Sequence, residues 1–322
     1  RDTARELGLD FASAPAAPEV ARHEAPVPRL GLWVPWADTD TIGWARYTLD
    51  QRHIPYIYVR DEDIRAGRLR DKYDVLLYGH VDLELAEQIQ GLPKAWGPMP
   101  YKKTRATPSF GTPAESEDIT GGIGWSGLAE LQRFVEGGGL LITLGSGSML
   151  ALEGGIVRGV RRESGGVPRS TQGGGEAAAA ASQSAVTRTP GSHVRVSFVH
   201  PEHPLAYGYG AHTWVFRQNF PLYATPRRWL RMAYCTTCLD GPLDPSGVVL
   251  EWGDRDGAPL VVSGQAWGEN NLIGRPAILD LPAGNGHVVA FNFNPLHRDL
   301  NRGDQRLLWN AIINWKAILA QR

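Results

Sequence analysis

The sequence predicts an α/β fold, with a mainly parallel sheet, helices on both faces, and antiparallel strands extending the sheet in the C-terminal half. Two observations predict it. In the first half, short apolar segments alternate with segments of helical periodicity, which is the order of parallel strands joined by covering helices. In the second half, strand-like segments follow one another with few helical segments between them. At 322 residues the chain can bury a sizeable core, either as one large α/β unit or as two average domains.

The first half supplies the alternating elements. Strands are predicted at residues 28–34, 54–60, 73–79 and 140–145, and helices at 40–52 and 125–139, with a short helix or turn at 61–69 and a long proline-rich loop at 91–120. In the second helix, Leu128, Leu131 and Phe134 share one face with Val135. Glycines follow, so an amphipathic helix that ends at the glycines is expected.

The second half supplies the strand-rich region and a closing helix. Strands are predicted at residues 192–199, 248–254, 259–265, 276–282 and 286–294, and one last helix at 304–319. Residues 163–186 are rich in Gly, Ala and Ser, which is typical of a mobile surface insertion. Residues 1–28 carry repeated prolines and little periodicity, so we expect a linker from a preceding domain with one short helix at its start. Residues 29–322 then form the α/β domain.

Composition excludes some classes of function. There are 33 Lys and Arg against 34 Asp and Glu, without a basic stripe, so nucleic acid is not an expected partner. No apolar run reaches the roughly 20 residues of a membrane span. The first residue is Arg1 rather than Met, so we expect a processed product or a piece of something longer.

The only two cysteines are Cys235 and Cys238, in a single CxxC. The pair is compatible with a structural or incidental role, a small disulfide, a redox pair or half of a zinc site. A structural zinc site needs four ligands as a rule, and no second CxxC or close histidine pair lies nearby in the sequence. Eleven Trp and 38 Gly suggest a loop-rich protein with large aromatic packing elements, which is common outside the cytosol.

Residues 137–150, GGGLLITLGSGSML, predict a strand, a sharp glycine turn and the start of a helix. Such a turn presents a nucleophile in some α/β enzymes and cradles a phosphate in others. The strict G-x-S-x-G nucleophile pattern fails, because Leu144 and Ser148 stand two residues either side of Ser146. A serine also needs a base, for which the candidates are His200, His203, His287 and His297.

The phosphate-binding pattern G-x-G-x-x-G also fails, since Leu150 occupies its third glycine position. The remaining interpretation is structural. In that interpretation Gly145 and Gly147 permit a tight strand-to-helix crossing, and Ser146 and Ser148 cap the helix.

The turn resembles that of the class I glutamine amidotransferase-like fold, a flavodoxin-like architecture in which the corresponding turn carries a nucleophilic cysteine. Ser146 occupies that position here. The segments at 28–78, 127–150, 200–209 and 263–315 are similar, in order and spacing, to one particular module. It is the C-terminal amidotransferase-like domain that follows the catalytic domain in large bacterial zinc carboxypeptidases, relatives of carboxypeptidase A. The resemblance covers residues 29–160 and 190–318; the insertion at 163–186 and the CxxC depart from it.

The resemblance implies a non-catalytic accessory domain of a secreted or periplasmic zinc carboxypeptidase-like protein. Its expected partner is the peptidase domain of the same parent, with a peptide or a glycan as a further candidate. Zinc is expected in the parent's catalytic domain and no cofactor in this chain. The family's zinc site uses an H-x-x-E pair, and none of the nine histidines is followed by Glu three residues later. Two alternatives stay open: a serine hydrolase that uses Ser146, and a carbohydrate- or peptide-binding module.

If a pocket survives at the carboxyl ends of the strands, several further residues are candidates for its lining. The candidates are Gly145, Ser146, Gly147, Ser148, Trp36, Asp38, Asn294 and His297. Packing is the alternative role for each. The segment HPEHP, with His200, Glu202 and His203, is compatible with a metal site or, because of its prolines, with an extended turn. The cluster from Gln265 to Asn271 predicts either a polar pocket with an aromatic floor or a polar loop capped by one buried Trp.

Overall fold

The computed structural model describes residues 2–163, apart from positions 9, 11, 14, 17, 18 and 21, together with residues 187–225, 247–253 and 258–321. Cys235 and Cys238 lie outside the described residues, as does the low-complexity insertion after Glu163. The predictions made for them therefore stay predictions.

The described residues form nine α-helices and twelve strands, and in the first half of the chain helical segments lie between successive strands. The helices are α1 Asp2–Leu7, α2 Gly43–Gln51, α3 Asp61–Ala66, α4 Leu69–Lys72, α5 Leu85–Gln90, α6 Gly124–Glu136, α7 Ser148–Leu152, α8 Arg302–Ile313 and α9 Trp315–Leu319. The strands are β1 Leu30–Trp33, β2 Ile57–Val59, β3 Val75–Tyr78, β4 Leu140–Leu144, β5 Arg161–Glu163, β6 Arg188–Phe198, β7 His212–Arg217, β8 Leu222–Ala224, β9 Val248–Trp252, β10 Val261–Trp267, β11 Pro276–Ala283 and β12 Gly286–Phe291.

One large mixed sheet runs through the described part of the chain, in the order β10-β6-β9-β11-β12-β4-β3-β1-β2, with β7 paired to β6. Strands β2, β1, β3, β4 and β12 pair in parallel. Strands β11, β9, β6, β10 and β7 join them through antiparallel pairings. The α/β class predicted from the sequence is confirmed.

Four of the five parallel strands are buried along their whole length, and only the edge strand β2 is partly exposed. Every residue of β1, β3, β4 and β12 is buried. Because successive side chains of a strand point to opposite faces, burial of all of them means that both faces of this part of the sheet are covered. The four strands accordingly carry mainly apolar residues rather than an alternation of apolar and polar ones.

The predicted amphipathic helix is confirmed as α6. Its buried residues include Leu128, Leu131, Phe134 and Val135, and Gly137 follows its last residue. The predicted single helix at 304–319 is wrong in its continuity, because α8 and α9 are separated at Asn314. The Asn314 side chain donates to the carbonyl of Asn310 at 3.0 Å, and the backbone at Asn314 leaves helical geometry. Side-chain competition of this kind disfavours Asn inside helices.

The end of the leading segment packs on the last helix. The indole Nε1 of Trp315 donates to the carbonyl of Pro26 at 2.9 Å, and Lys316 Nζ lies 3.3 Å from a carboxylate oxygen of Glu24. Helix α1 is short, as the sequence predicts for the start of this segment. No helix among the described residues is long and apolar enough to cross a membrane.

The register of the parallel strands brings four chain segments to one edge of the sheet. Trp33 pairs with Tyr78, Tyr78 with Thr143, and Leu144 with Phe291. Since these are the carboxyl ends of parallel strands, the residues that follow each of them lie at the same edge. The candidate site is built from those residues.

Candidate functional site

The turn after β4 depends on two glycines. Gly145 has φ +57°, a region that side chains disfavour, and its N–H donates to the carbonyl of Phe293 at 3.1 Å. A Cβ on Gly147 would lie 2.3 Å from the carbonyl oxygen of Gly79, just after β3. The turn therefore passes directly over the end of β3, and only a residue without a side chain allows that approach.

This close approach decides what the Ser146 hydroxyl contacts. Its Oγ lies 2.7 Å from Nδ1 of His80, donates to the carbonyl of Val81, and accepts from the Val81 N–H at 3.3 Å. Ser146 is 9% exposed. The hydroxyl thus bridges the turn after β4 to the segment after β3.

The expectation that the two serines cap the following helix is wrong. No side-chain capping bond is present at the start of α7. The hydroxyl of Ser148 instead donates to the carbonyl of Phe291 at 3.0 Å and accepts from Thr143. The turn lies beside the segment after β3 and the end of β12, so the main-chain groups of Val81 and Phe291 take the hydroxyls instead of the first amides of α7.

His80 is the functional candidate that the sequence reasoning missed. It lies directly after β3 and contacts the ring of Phe220 edge-on, with centroids 5.1 Å apart. Burial lowers its pKa to about 4, so the imidazole is neutral at pH 7. The sequence did contain a signal for His80. It closely follows the buried strand β3, just as Ser146 closely follows the neighbouring strand β4.

The four histidines proposed as bases lie elsewhere or serve other contacts. His203 Nε2 and His287 Nδ1 both bond the carboxylate of Asp280, at 3.0 and 2.7 Å. His200 Nδ1 lies 3.1 Å from Glu202, and His297 stacks on Phe216 with centroids 4.8 Å apart. None of these contacts involves Ser146, so the proposal of these four as its base is wrong.

A cavity of about 760 Å³ opens above Ser146 and His80. Acidic residues line it from the segment after β3 and the start of α5, and basic residues line it from β5 and β6. Its lining also includes apolar and aromatic side chains: Val81, Leu83, Met149, Pro190, Phe220, Pro221 and Trp267. Trp267 is 47% exposed, so the expectation of one buried Trp capping a polar loop is wrong. We call this cavity the Ser146 pocket.

The charged residues that line the Ser146 pocket come from two regions of the chain, one acidic and one basic. Asp82, Glu84 and Glu87 belong to the segment after β3 and to the start of α5, whereas Arg162 and Arg188 belong to β5 and β6. Arg162 lies 3.8 Å from Glu84, a distance that indicates weak pairing at an exposed position. The cavity therefore offers both signs of charge to a ligand.

The remaining predicted residues are distributed over the same edge. Asp38 accepts from the N–H groups of Thr41 and Asp82, at 2.9 and 2.6 Å, and so fixes the segment after β3. Asn294 is buried and accepts from the N–H of Leu296 at 3.1 Å, closing a turn. Trp36 lines a different cavity, described below.

Ser146 Oγ and His80 Nδ1 lie close enough for proton transfer. Two other features of this pair differ from those of a catalytic serine and histidine. A catalytic histidine is oriented by a third group through its second nitrogen. Within the described part of the chain, no hydrogen bond to Nε2 of His80 is found. A histidine whose pKa is about 4 is also a weak base at neutral pH.

The described residues contain no group of three or more His, Cys, Asp or Glu placed to hold a metal ion. His203, a candidate ligand in the HPEHP segment, uses both ring nitrogens inside the protein, one toward Asp280 and one accepting from the N–H of Leu205.

Comparison with known proteins identifies no family. No protein-family model matches the chain, and no curated protein matches it. Among solved structures, a ThuA-like protein from Bacteroides uniformis aligns with 93% of this chain and 95% of its own, at 12% identity and a TM-score of 0.41. A cytoplasmic protein from Salmonella typhimurium LT2 aligns with 90% of this chain and 97% of its own, at 11% identity and a TM-score of 0.44.

A third solved structure, a GMP synthase protein from Thermoplasma acidophilum, aligns with 93% of this chain and 96% of its own, at 10% identity and a TM-score of 0.43. Structural scores this low support no conclusion about the function of this chain.

Proposed function

We propose that this chain is a non-catalytic accessory domain of a secreted or periplasmic zinc carboxypeptidase-like protein, built on a flavodoxin-like, glutamine amidotransferase-like framework. A carboxypeptidase parent is supported by a resemblance. Residues 29–160 and 190–318 resemble the domain that follows the catalytic domain of those enzymes. The zinc chemistry would belong to the parent's catalytic domain, since none of the histidines of this chain begins an H-x-x-E pair. The peptidase domain would be the partner, and the Ser146 pocket would take a peptide or a glycan.

One observation carries the non-catalytic part of the proposal. The hydroxyl at the nucleophile position is used as a structural bridge, because Ser146 Oγ both donates to and accepts from the main chain of Val81. A hydroxyl also lacks the thiolate that makes a cysteine reactive near neutral pH. Both features favour a framework that binds rather than reacts.

The first experiment tests whether the contact of the Ser146 hydroxyl with the main chain of Val81 stabilises the fold. Replacing Ser146 by Ala leaves two main-chain groups of Val81 without this partner, and an unsatisfied buried polar group costs about 1–3 kcal/mol. We expect the free energy of unfolding of Ser146→Ala, from urea titration, to fall by that amount. The control is Ser126→Ala on the exposed side of α6, which should change it by less than about 0.5 kcal/mol. Equal stability of Ser146→Ala and the wild type would contradict the bridge.

A second candidate function is a serine hydrolase, favoured by the 2.7 Å separation of Ser146 Oγ and His80 Nδ1 at the floor of a pocket. A fluorophosphonate probe separates the two candidates, because it reacts only with an activated serine. We expect no labelling of the wild-type chain. Labelling that disappears in Ser146→Ala would reject the non-catalytic proposal.

The parent itself is tested on the full-length protein. We expect a peptidase domain with an H-x-x-E pair to precede residue 1, and the full-length protein to bind zinc and release C-terminal residues from peptides. Deletion of this domain should leave the zinc content unchanged. A full-length protein without such a peptidase domain would remove the proposal of a carboxypeptidase parent.

A further inference from the structure

A second cavity, of about 290 Å³, lies beside the ends of β1 and β2 and shares no lining residue with the Ser146 pocket. Its lining includes Trp36, Tyr58, Tyr101 and Arg46, and we call it the aromatic pocket. Ligand pockets usually measure about 300–1,000 Å³. A cavity just below that range fits one ring-sized group rather than an extended chain.

The rings that line the aromatic pocket are fixed by contacts behind them. The indole Nε1 of Trp36 donates to Glu62 at 2.9 Å, and its main-chain N–H donates to Asp61 at 3.2 Å. Tyr101 pairs through its main chain with Ser116, at 2.9 and 3.1 Å. Its ring stacks on Phe110 with centroids 4.8 Å apart. Binding would therefore spend little free energy on ordering these side chains.

The charge on the lining of the aromatic pocket is positive, while the carboxylates of Asp61 and Glu62 lie behind Trp36 and bond it there. Arg46 is the one charged residue among the described residues that line it. Its contact with Asp50, on the next turn of α2, is 3.8 Å long with both side chains partly exposed, which indicates a weak pair. An incoming carboxylate can therefore approach the guanidinium and form a bidentate pair with it.

The phenol of Tyr58 adds a neutral polar group. Burial raises its pKa to about 12, and the nearby Arg46 opposes that rise. The phenol stays protonated at neutral pH, so it adds no negative charge to repel an anion and can donate a hydrogen bond. Rings favour a flat apolar body, and the guanidinium favours an anion over a neutral or cationic ligand.

We propose that the aromatic pocket binds a carboxylate carried on a flat, ring-sized apolar body, with the carboxylate at Arg46 and the ring against Trp36 and Tyr101. A free aromatic acid and a peptide that ends in an aromatic residue share this chemistry. The inference does not depend on the function proposed for the Ser146 pocket.

The test is calorimetric titration of the full chain with N-acetylphenylalanine and with its amide, which lacks the negative charge. We expect the acid to bind at least about tenfold more tightly than the amide, since hydrogen bonds to a charged group are the stronger ones. In Arg46→Gln this preference should vanish. The control, Arg133→Gln, removes an exposed arginine from α6 and should retain the preference.

A second variant covers the case in which Arg46→Gln is unfolded by circular dichroism. Tyr101→Leu keeps the cation and removes a ring, so it should weaken binding of N-acetylphenylalanine while acid remains preferred over amide. A parallel titration with a pentapeptide ending in phenylalanine distinguishes a peptide end from a free acid, and binding of either supports the proposal. Equal affinity for acid and amide, no heat with any of these ligands, or a preference retained in Arg46→Gln would overturn it.

Discussion

At the scale of single residues, ionisable side chains buried in the core determine part of the pH dependence of stability. Arg217 is 1% exposed, and burial lowers its pKa to about 9. It donates to the carbonyls of Gln218 and Phe220, and its guanidinium lies 5.3 Å from the ring of Trp252. Asp304 is 3% exposed, and burial raises its pKa to about 7 despite the hydrogen bond from the Phe216 N–H.

Asp304→Asn should stabilise the protein above neutral pH relative to the wild type. The folded pKa of Asp304 lies above its unfolded value, so its contribution is fully present below pH about 4 and is lost as pH rises through 7. The asparagine cannot ionise and escapes that loss. We expect the variant to gain on the order of 2–4 kcal/mol over the wild type between pH 4 and pH 8, measured by urea unfolding at both pH values.

The matched control for this prediction is Asp40→Asn, because Asp40 is exposed. Its free energy of unfolding relative to the wild type should differ little between the two pH values. If Asp304→Asn shows no gain at pH 8, the carboxyl of Asp304 does not carry the pH dependence assigned to it.

At the scale of elements, the turn between β4 and α7 has two separable requirements, a left-handed backbone and room beside Gly145. Gly145 has φ +57°, and a Cβ there would lie 3.0 Å from the Phe220 ring and 3.1 Å from Nδ1 of His80. Gly155, after α7, has φ +89°, but a Cβ there would meet no atom within 4 Å. The two glycines therefore share the backbone requirement and differ in crowding.

Gly145→Ala should destabilise the protein more than Gly155→Ala. A left-handed alanine costs about 1–2 kcal/mol at either position. Crowding at Gly145 adds roughly 1–3 kcal/mol, because the neighbouring rings must shift. Thermal unfolding of both variants measures the difference. Equal losses of stability would mean that Phe220 and His80 move aside for the added methyl group at Gly145.

At the scale of the whole molecule, a buried His–Asp–His cluster joins segments far apart in sequence. Asp280, on β11, bonds His203 from the turn after β6 and His287 from β12. Burial would raise the pKa of Asp280, but the hydrogen bonds from both histidines outweigh it, and the pKa lies below its ordinary value. The carboxylate therefore stabilises the fold in its ionised form.

Asp280→Asn should lower the free energy of unfolding at pH 7 by about 1.5–3 kcal/mol, the usual contribution of a hydrogen bond to a charged group, because the asparagine oxygen can accept from only one of the two histidines. A depressed folded pKa gives stability that is present above the unfolded pKa, near 4, and is lost as pH falls through the lower folded pKa. The difference between wild type and variant should therefore shrink in strong acid. Asp71→Asn, at an exposed ion pair with Arg68, is the control and should cost less than about 1 kcal/mol at pH 7.

Local patterns in the sequence were enough to predict most of the elements and one part of the site, whereas β5, β7, β8 and α5 were not predicted. The apolar segments that form β1, β3, β4 and β12 and the spacing that forms α6 are local signals, since burial on both faces or on one stripe leaves a direct trace in the composition. Ser146 was a candidate from its glycine turn alone. The break at Asn314 was not predicted, because a side chain competing with the helix leaves no change in periodicity.

The sequence by itself determined the α/β class, the glycine turn and the serine at its tip, because each follows from residues adjacent in the chain. Only the tertiary structure decided that His80 faces Ser146, that Val81 takes its hydroxyl, and that Trp36 belongs to a separate pocket. Those contacts depend on the order of the strands in the sheet and on the register in which they pair. Order and register are set by the packing free energy of the whole core, which no local segment of sequence determines.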